Sequence, residues 1–84
     1  MIENNGIIVG TLRQVLNALD ARYMVRVFEQ TNDGAEMRMS GTVMHILECK
    51  DIAHLWNKYA DRSVIAFWFY ANDYVAIMLD NGGA

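Results

Sequence analysis

Residues 64–70 read Val-Ile-Ala-Phe-Trp-Phe-Tyr, an uncharged run of β-branched and aromatic residues that is typical of a strand. A turn-forming sequence, Ala71-Asn72-Asp73, separates this run from a second apolar segment, Tyr74–Leu79, so the two segments predict a β-hairpin. Opposing Tyr70 with Tyr74 fixes which side chains share a face, because successive side chains of a strand point to opposite sides. We expect the core face to carry Ile65, Phe67, Phe69, Val75, Ile77 and Leu79.

The other face of this hairpin is also apolar, which is unusual for a sheet that helices cover on one side only. It would carry Val64, Ala66, Trp68, Tyr70, Tyr74, Ala76 and Met78. A soluble monomer rarely exposes such a patch, so we expect self-association into a homo-oligomer. Two alternatives stay open: an N-terminal arm containing Ile7, Ile8 and Val9 covers the face, or the face contacts a ligand. The predicted oligomer interface consists of Trp68, Tyr70, Tyr74 and Met78.

An Asn32-Asp33-Gly34 turn signal lies between two alternating segments, Tyr23–Glu29 and Glu36–Val43, and predicts a further hairpin. A loop with an odd number of residues would pair Val27 with Met39 and Val25 with Gly41. One face, which we assign to the core, would carry Tyr23, Val25, Val27, Met37, Met39 and Val43. The opposite face would carry Met24, Arg26, Phe28, Arg38, Ser40 and Thr42.

Thr11 and Gln14 have the spacing of a capping box and precede apolar residues at helical spacing, which predicts a helix over residues 12–20. A second helix is indicated by Ile52, Leu55, Trp56 and Tyr59, with Asp51 as its N-cap. Residues 43–48 fit either a strand or a separate helical turn. The order α-β-β-α-β-β predicts an α+β fold: an antiparallel four-stranded sheet of two β-hairpins, with two helices packed on one face.

A chain of 84 residues is long enough for one small domain. We expect residues 11–80 to form it, residues 1–10 to be an arm or a short extra strand, and residues 81–84 to be a flexible tail. A single Cys49 excludes an internal disulfide and fits a reducing cytoplasm. No apolar run approaches the length that spans a membrane. The net charge of −3 argues against general nucleic-acid binding.

Catalytic and phosphate-loop motifs do not occur in the sequence. His45 and His54 are nine residues apart with Cys49 between them, a spacing that matches no standard zinc site. We therefore expect no catalytic residue, no metal site and no cofactor, and we predict that the protein is not an enzyme.

Arginine beside aromatic rings can bind phosphate and stack a base, and the non-core faces of the two hairpins combine these residue types. For Arg38 a cross-strand ion pair with Glu29 or Glu36 is the alternative. The candidate ligand-binding residues are Arg26, Phe28, Arg38, Trp68, Tyr70 and Tyr74.

Five short segments carry a resemblance to a known family: Thr11-Leu-Arg-Gln-Val-Leu, Val25-Arg-Val-Phe, Ser40-Gly-Thr-Val, Lys58-Tyr-Ala-Asp-Arg-Ser-Val and Val75-Ala-Ile. Over about residues 11–80 the chain resembles small uncharacterised proteins encoded by phages and prophages of gut Firmicutes. The resemblance implies a phage accessory protein in the cytoplasm of the bacterial host cell, and it supplies no catalytic residues.

Small phage accessory proteins often neutralise bacterial immunity, and by analogy of class we expect the same here. Our first hypothesis is oligomeric sequestration of a nucleotide immune signal. The alternatives are a protein-binding inhibitor of a host defence complex, of the anti-CRISPR type, and a structural or regulatory phage assembly protein. An inhibitor of this type would present a dispersed acidic surface made of Asp20, Glu29, Asp33, Glu36, Asp73 and Asp80.

Overall fold

One mixed sheet of four strands, covered on one face by helices, forms the core of this α+β protein in a computed structural model that describes residues 10–70 and 73–80. The elements are α1 (Leu12–Ala18), β1 (Met24–Thr31), β2 (Gly34–Thr42), α2 (Val43–Glu48), a 3₁₀ helix (Lys50–Ile52), α3 (Ala53–Tyr59), β3 (Val64–Tyr70) and β4 (Tyr74–Leu79). The predicted arm, apart from Gly10, and the predicted tail at 81–84 lie outside the described residues.

Helix α1 begins as predicted, at a capping box. The Thr11 hydroxyl accepts a hydrogen bond from the Gln14 amide at 3.3 Å, and the Gln14 side chain accepts one from the Thr11 amide at 2.9 Å. The helix ends at Ala18, two residues before the predicted end, because Leu19 adopts an extended conformation. Its buried residues, Leu12, Val15 and Leu16, lie on the face that packs on the sheet.

We expect Thr11→Ala to lower the free energy of unfolding by about 1 kcal/mol, because it removes the acceptor for one of the otherwise unpaired amides of the first turn. Asn17→Ala is the matched control, since Asn17 lies exposed in the same helix and alanine favours helix there. Urea unfolding followed by circular dichroism measures both. Equal midpoints for parent and Thr11→Ala would show that the cap contributes nothing.

The first hairpin has the predicted pairs, Val25 with Gly41 and Val27 with Met39. The odd residue does not lie in the loop, however: Thr31 pairs with Gly34, and Arg38 is a bulge between Met37 and Met39. Met37 therefore pairs with Phe28 and is 53% exposed, so its predicted place in the core is wrong. The same prediction is wrong for Tyr23, which is 48% exposed just before β1 begins.

Residues 43–48 are helical, which resolves the two interpretations left open for this segment. Thr42 caps α2 by accepting a hydrogen bond from the His45 amide, and Val43 is buried as a helical residue. Asp51 is not an N-cap as predicted, because it lies in the 3₁₀ helix and α3 starts after Ile52. The described residues thus contain three α-helices, one more than predicted.

The second hairpin also has the predicted register near its turn, with Phe69 opposite Val75 and Phe67 opposite Ile77. A bulge at its other end makes Val64, instead of Ile65, the partner of Leu79. Val64 is consequently buried, and Ile65 is 38% exposed. Phe69 is 56% exposed, so two of the six predicted core residues are not buried.

The strand order is β2-β1-β4-β3, and the two central strands, β1 and β4, run parallel. The prediction of a purely antiparallel sheet is therefore wrong. Val25 pairs with Val75 and Val27 with Ile77 across this centre, and all four side chains are buried. Leu16 of α1, Ile46 of α2 and Tyr59 of α3 belong to the same buried cluster. All three α-helices of the described residues therefore cover one face of the sheet, and none of them lies on the other face.

None of the helices in residues 10–70 and 73–80 has the length and apolar character needed to cross a membrane.

Candidate functional site

The sheet face opposite the helices, called the outer face below, carries side chains in rows that follow the strand register. Arg26 of β1 lies between Ser40 of β2 and Ala76 of β4, and Ala76 is followed by Trp68 of β3. The next row holds Met37, Phe28, Met78 and Ala66. A third row contains Thr42, Met24, Tyr74 and Tyr70. The outer face is thus predominantly apolar across its full width.

A shallow depression of about 190 Å³ lies in this face, and we call it the outer groove. Ala76 forms its floor, since a methyl side chain there is surrounded by larger neighbours and is only 4% exposed. The groove is lined by Phe28, Ala35, Trp68, Tyr70, Tyr74, Ala76 and Met78. Four of the six predicted ligand-binding residues and all four predicted interface residues therefore come together in one concave surface.

Arg26 stands at the edge of the groove, held by an aromatic stack. Its guanidinium carbon lies 4.2 Å from the centre of the Tyr74 ring, which is cation–π distance. Tyr74 in turn stacks on Tyr70, with 4.8 Å between ring centres and 27° between ring planes. The stack positions the Arg26 charge over an apolar surface without neutralising it.

Within the described residues, Arg26 is the one arginine with no carboxylate partner. Arg13 pairs with Asp61 and Arg22 with Asp20, while Arg38 and Arg62 bind the acidic side chains discussed below. Arg26 is exposed, although it lies in the middle of a strand. It is therefore available to an anionic group that approaches the outer face.

Arg38 does not join this site, although the sequence placed it on the same face as Arg26. The bulge at Arg38 takes its side chain out of the alternation, and its guanidinium donates to Glu29 at 2.9 Å and lies 3.6 Å from Glu36. Both ion pairs that the sequence offered as the alternative are thus formed. The remaining five candidate ligand residues stay together without it.

A polar cluster, the Glu29 cluster, explains where Arg38 is held. The Glu29 carboxylate accepts hydrogen bonds from Arg38, from Arg62 and from the Tyr59 hydroxyl, the last at 3.4 Å. Arg62 also donates to the Asp80 carboxylate and to the Asp80 carbonyl oxygen, at 3.3 and 2.7 Å. The cluster therefore joins the end of β1 to β2, α3 and the segment after β4.

The hydrogen bond from Arg62 holds the pKa of the Glu29 carboxyl below its ordinary value, and the bond from Arg38 adds to this effect against the opposing influence of burial. The hydrogen bond to Glu29 correspondingly raises the pKa of Arg38. These charges compensate each other and leave no free group for a ligand. We therefore interpret the Glu29 cluster as a stabilising feature.

A second cleft, of about 380 Å³, lies at the end of the sheet where β1 and β4 begin and β3 ends. Tyr23 and Phe69 meet there edge to face, with 6.5 Å between ring centres. The cleft is lined by Arg22, Tyr23, Met24, Phe69, Tyr70, Asp73, Tyr74 and Val75. Because Tyr70 and Tyr74 line both depressions, aromatic surface is continuous from the outer groove to this end of the sheet.

His45, Cys49 and His54 do not form a metal site together with other ligands: no group of three or more His, Cys, Asp or Glu side chains with suitable geometry occurs in residues 10–70 and 73–80. Cys49 is a free, half-buried thiol at the end of α2.

Sequence reasoning missed two features that shape the site. The groove floor could have been found from the sequence, because Ala76 is a small residue between Tyr74 and Met78 on the predicted apolar face. The Glu29 cluster was indicated only in its Arg38–Glu29 pair, because Glu29 is 30 residues from Tyr59 and 33 from Arg62 and meets them only through tertiary packing.

No protein-family model matches the chain, and neither the curated proteins nor the solved structures contain a match.

Proposed function

We propose that this chain is a non-enzymatic binding protein whose outer groove takes a nucleotide. The observation that supports the proposal is Arg26, an exposed and unpaired guanidinium among the described side chains, fixed over Tyr74 at the edge of an aromatic depression. An aromatic base with a phosphate matches this pairing, since bases stack on aromatic rings and phosphate binds arginine.

The size of the groove defines how a nucleotide would bind. Its volume of about 190 Å³ is smaller than the roughly 300–1,000 Å³ of most ligand pockets. One copy of the chain would hold the base against Trp68 and Met78 and leave much of the sugar and phosphate uncovered. A site that encloses the whole ligand then needs a second copy, which supports the proposal of a homo-oligomer.

The resemblance to phage-encoded proteins supports a biological setting for such binding. In the cytoplasm of an infected bacterium, a small protein that binds a nucleotide signal tightly would antagonise immunity by removing that signal. Sequestration requires no catalytic group, so a groove that only binds is sufficient for it.

The charge pattern favours this function over inhibition by an acidic surface that imitates nucleic acid. Four of the six acidic residues assigned to that surface are ion-paired to arginine: Asp20, Glu29, Glu36 and Asp80. Of these six, only Asp33 and Asp73 have no ion pair among the described residues, and they lie at different turns. Little of the negative charge assigned to that surface is therefore left for electrostatic binding.

We expect Arg26→Gln to weaken nucleotide binding about tenfold or more, because it removes charge-assisted hydrogen bonds to phosphate and leaves the aromatic surface in place. Titration of a panel of mononucleotides and cyclic dinucleotides, followed by Trp68 fluorescence in a Trp56→Phe background, measures the dissociation constants. Isothermal titration calorimetry of the parent checks that this background leaves them unchanged.

Arg13→Gln is the matched control, since Arg13 is exposed and also lies near an aromatic ring, Trp56, but belongs to α1 on the other face. Its affinity for nucleotides should equal that of the parent. The proposal fails if the parent binds no member of the panel at millimolar concentration, or if Arg26→Gln and Arg13→Gln behave alike.

A further inference from the structure

Strand β3 lies at one edge of the described sheet, and only its first part is covered on the outer side. Gly10 accepts a hydrogen bond from the Val64 amide at 2.9 Å, and the Leu12 amide donates to the Arg62 carbonyl at 3.0 Å. These bonds occupy the edge as far as Val64. From Ile65 to Tyr70, alternate backbone amides and carbonyls point away from β4 and have no strand beside them among the described residues.

The two edge strands differ in how they are protected against pairing. Strand β2 carries Glu36 and Arg38, and charged side chains are a common defence of an edge. Strand β3 has seven residues with no charge, no proline and no glycine. Such a strand is a template for β-pairing with another chain.

Side chains on both faces of β3 are also exposed at this edge. Trp68 and Tyr70, on the outer face, are 44% and 50% exposed, and Phe69, on the helix-covered face, is 56% exposed. An apolar edge that is open on both faces is complementary to another edge of the same kind. In a chain with a net charge of −3, this uncharged strand lets two copies meet without bringing like charges together.

We propose that β3 pairs with β3 of a second copy in antiparallel orientation, so that two sheets join into one sheet of eight strands. The segment of β3 that has no neighbouring strand among the described residues begins after Val64, and its self-pairing places the two-fold axis near Trp68. Trp68 then opposes the same residue of the second copy, and Phe67 opposes Phe69. This register keeps the two outer faces on one side of the joined sheet.

The apolar area available at the edge predicts how strong the pairing is. The half-exposed rings of Trp68, Phe69 and Tyr70, together with Ile65, supply roughly 300–400 Å² of exposed apolar surface per copy. Even when the surface buried by backbone pairing is added, the total buried area stays below the roughly 1,200–2,000 Å² of standard stable interfaces. We therefore expect a dimer in exchange with monomer, with a dissociation constant in the micromolar range. The two outer grooves would then lie side by side across the axis, on one face of the joined sheet. The pairing itself does not depend on nucleotide binding and is tested without a ligand.

Multi-angle light scattering of the whole chain, from low micromolar to millimolar concentration, gives the mass as a function of concentration. We expect the parent to change from monomer to dimer over this range and Phe69→Lys to stay monomeric with an unchanged circular dichroism spectrum. Met37→Lys is the matched control, because Met37 is equally exposed but lies on the other edge strand. It should dimerise like the parent.

Three further variants separate this pairing from other arrangements. Phe28 lies on the outer face away from β3. If Phe28→Ser lost the dimer while Phe69→Lys retained it, the two copies would be stacked face to face, which would overturn the proposal. A variant without residues 1–9 should dimerise at least as well as the parent. A monomeric parent whose truncated form dimerises would show that the N-terminal residues occupy the edge, which also overturns it. If Phe69→Lys does not fold, Ile65→Lys provides the same test at the other end of the same segment of β3.

Discussion

We expect Ile77→Ala to lower the free energy of unfolding by about 3 to 4 kcal/mol, the largest effect of any single substitution considered for this chain. Ile77 lies in the centre of β4, fully buried, with Val27 on one side and Phe67 on the other. Truncation to alanine removes buried methyl and methylene groups and leaves a cavity that two central strands cannot easily close. A domain of this size has only about 5–15 kcal/mol of stability, so much of it would be lost.

The matched control for Ile77→Ala is Met78→Ala, the next residue of the same strand. Met78 points to the outer face and is only half-buried, so its truncation should cost much less. Urea unfolding followed by tryptophan fluorescence and by circular dichroism gives both values. Similar losses for the two variants would mean that the core does not lie on the helix-covered face.

The second large effect is expected at Glu29, which receives hydrogen bonds from two arginines and a tyrosine and is 14% exposed in its side chain. Glu29→Gln should lower the free energy of unfolding by about 2 kcal/mol at neutral pH, because hydrogen bonds to a charged group are lost and Arg62 loses a counter-charge. Glu36→Gln is the matched control. Glu36 is 55% exposed and 3.6 Å from Arg38, so its loss should change the stability little.

Glu29 also makes a specific contribution to the pH dependence of stability. Since its pKa is lower in the folded state than in the unfolded state, its stabilising effect is complete above the ordinary carboxyl pKa, near 4.5, and is lost as the pH falls through the folded value. On acidification from neutral pH, the parent should therefore lose more stability than Glu29→Gln. Urea midpoints for both proteins across this range measure the difference, and parallel curves would contradict the assignment.

Sequence pattern was sufficient to predict both hairpins, because alternation and turn residues act within a few residues of each other. The pair Phe67–Ile77 follows from that pattern alone, whereas Val27 pairs with Met39 as predicted only because of a bulge, and not because the loop has an odd number of residues. The bulges at Arg38 and Ile65 do not, since each adjusts a strand to packing that the local sequence does not describe. They account for the incorrect placement of Met37, Val64 and Arg38.

The parallel pairing of β1 with β4 was not predictable for a different reason. Strand β4 is apolar on both faces, as central strands are, but β1 carries the charged Arg26 on its outer face. Neither pattern specifies which strand lies beside which or in what direction. Helices α2 and α3 lie between the hairpins in the chain and determine the direction in which the second hairpin returns. The outer groove was predictable in composition, from Trp68 to Met78, because a second apolar face is visible in the sequence. Its depth was not, because it depends on which residues surround Ala76.

The parallel centre of the sheet also determines when the fold can be completed during synthesis. Val25 needs Val75 beside it, so the edge of β1 that faces β4 stays unpaired until β4 has left the ribosome. Antiparallel β1 and β2 can close early, as neighbours in the chain, but the contact that joins the two hairpins requires a long loop to close, which slows folding. A nascent chain that stalls before β4 exposes an apolar strand edge to chaperones and to other nascent chains. The interval between the synthesis of β1 and that of β4 is therefore the period in which the protein is most vulnerable to aggregation.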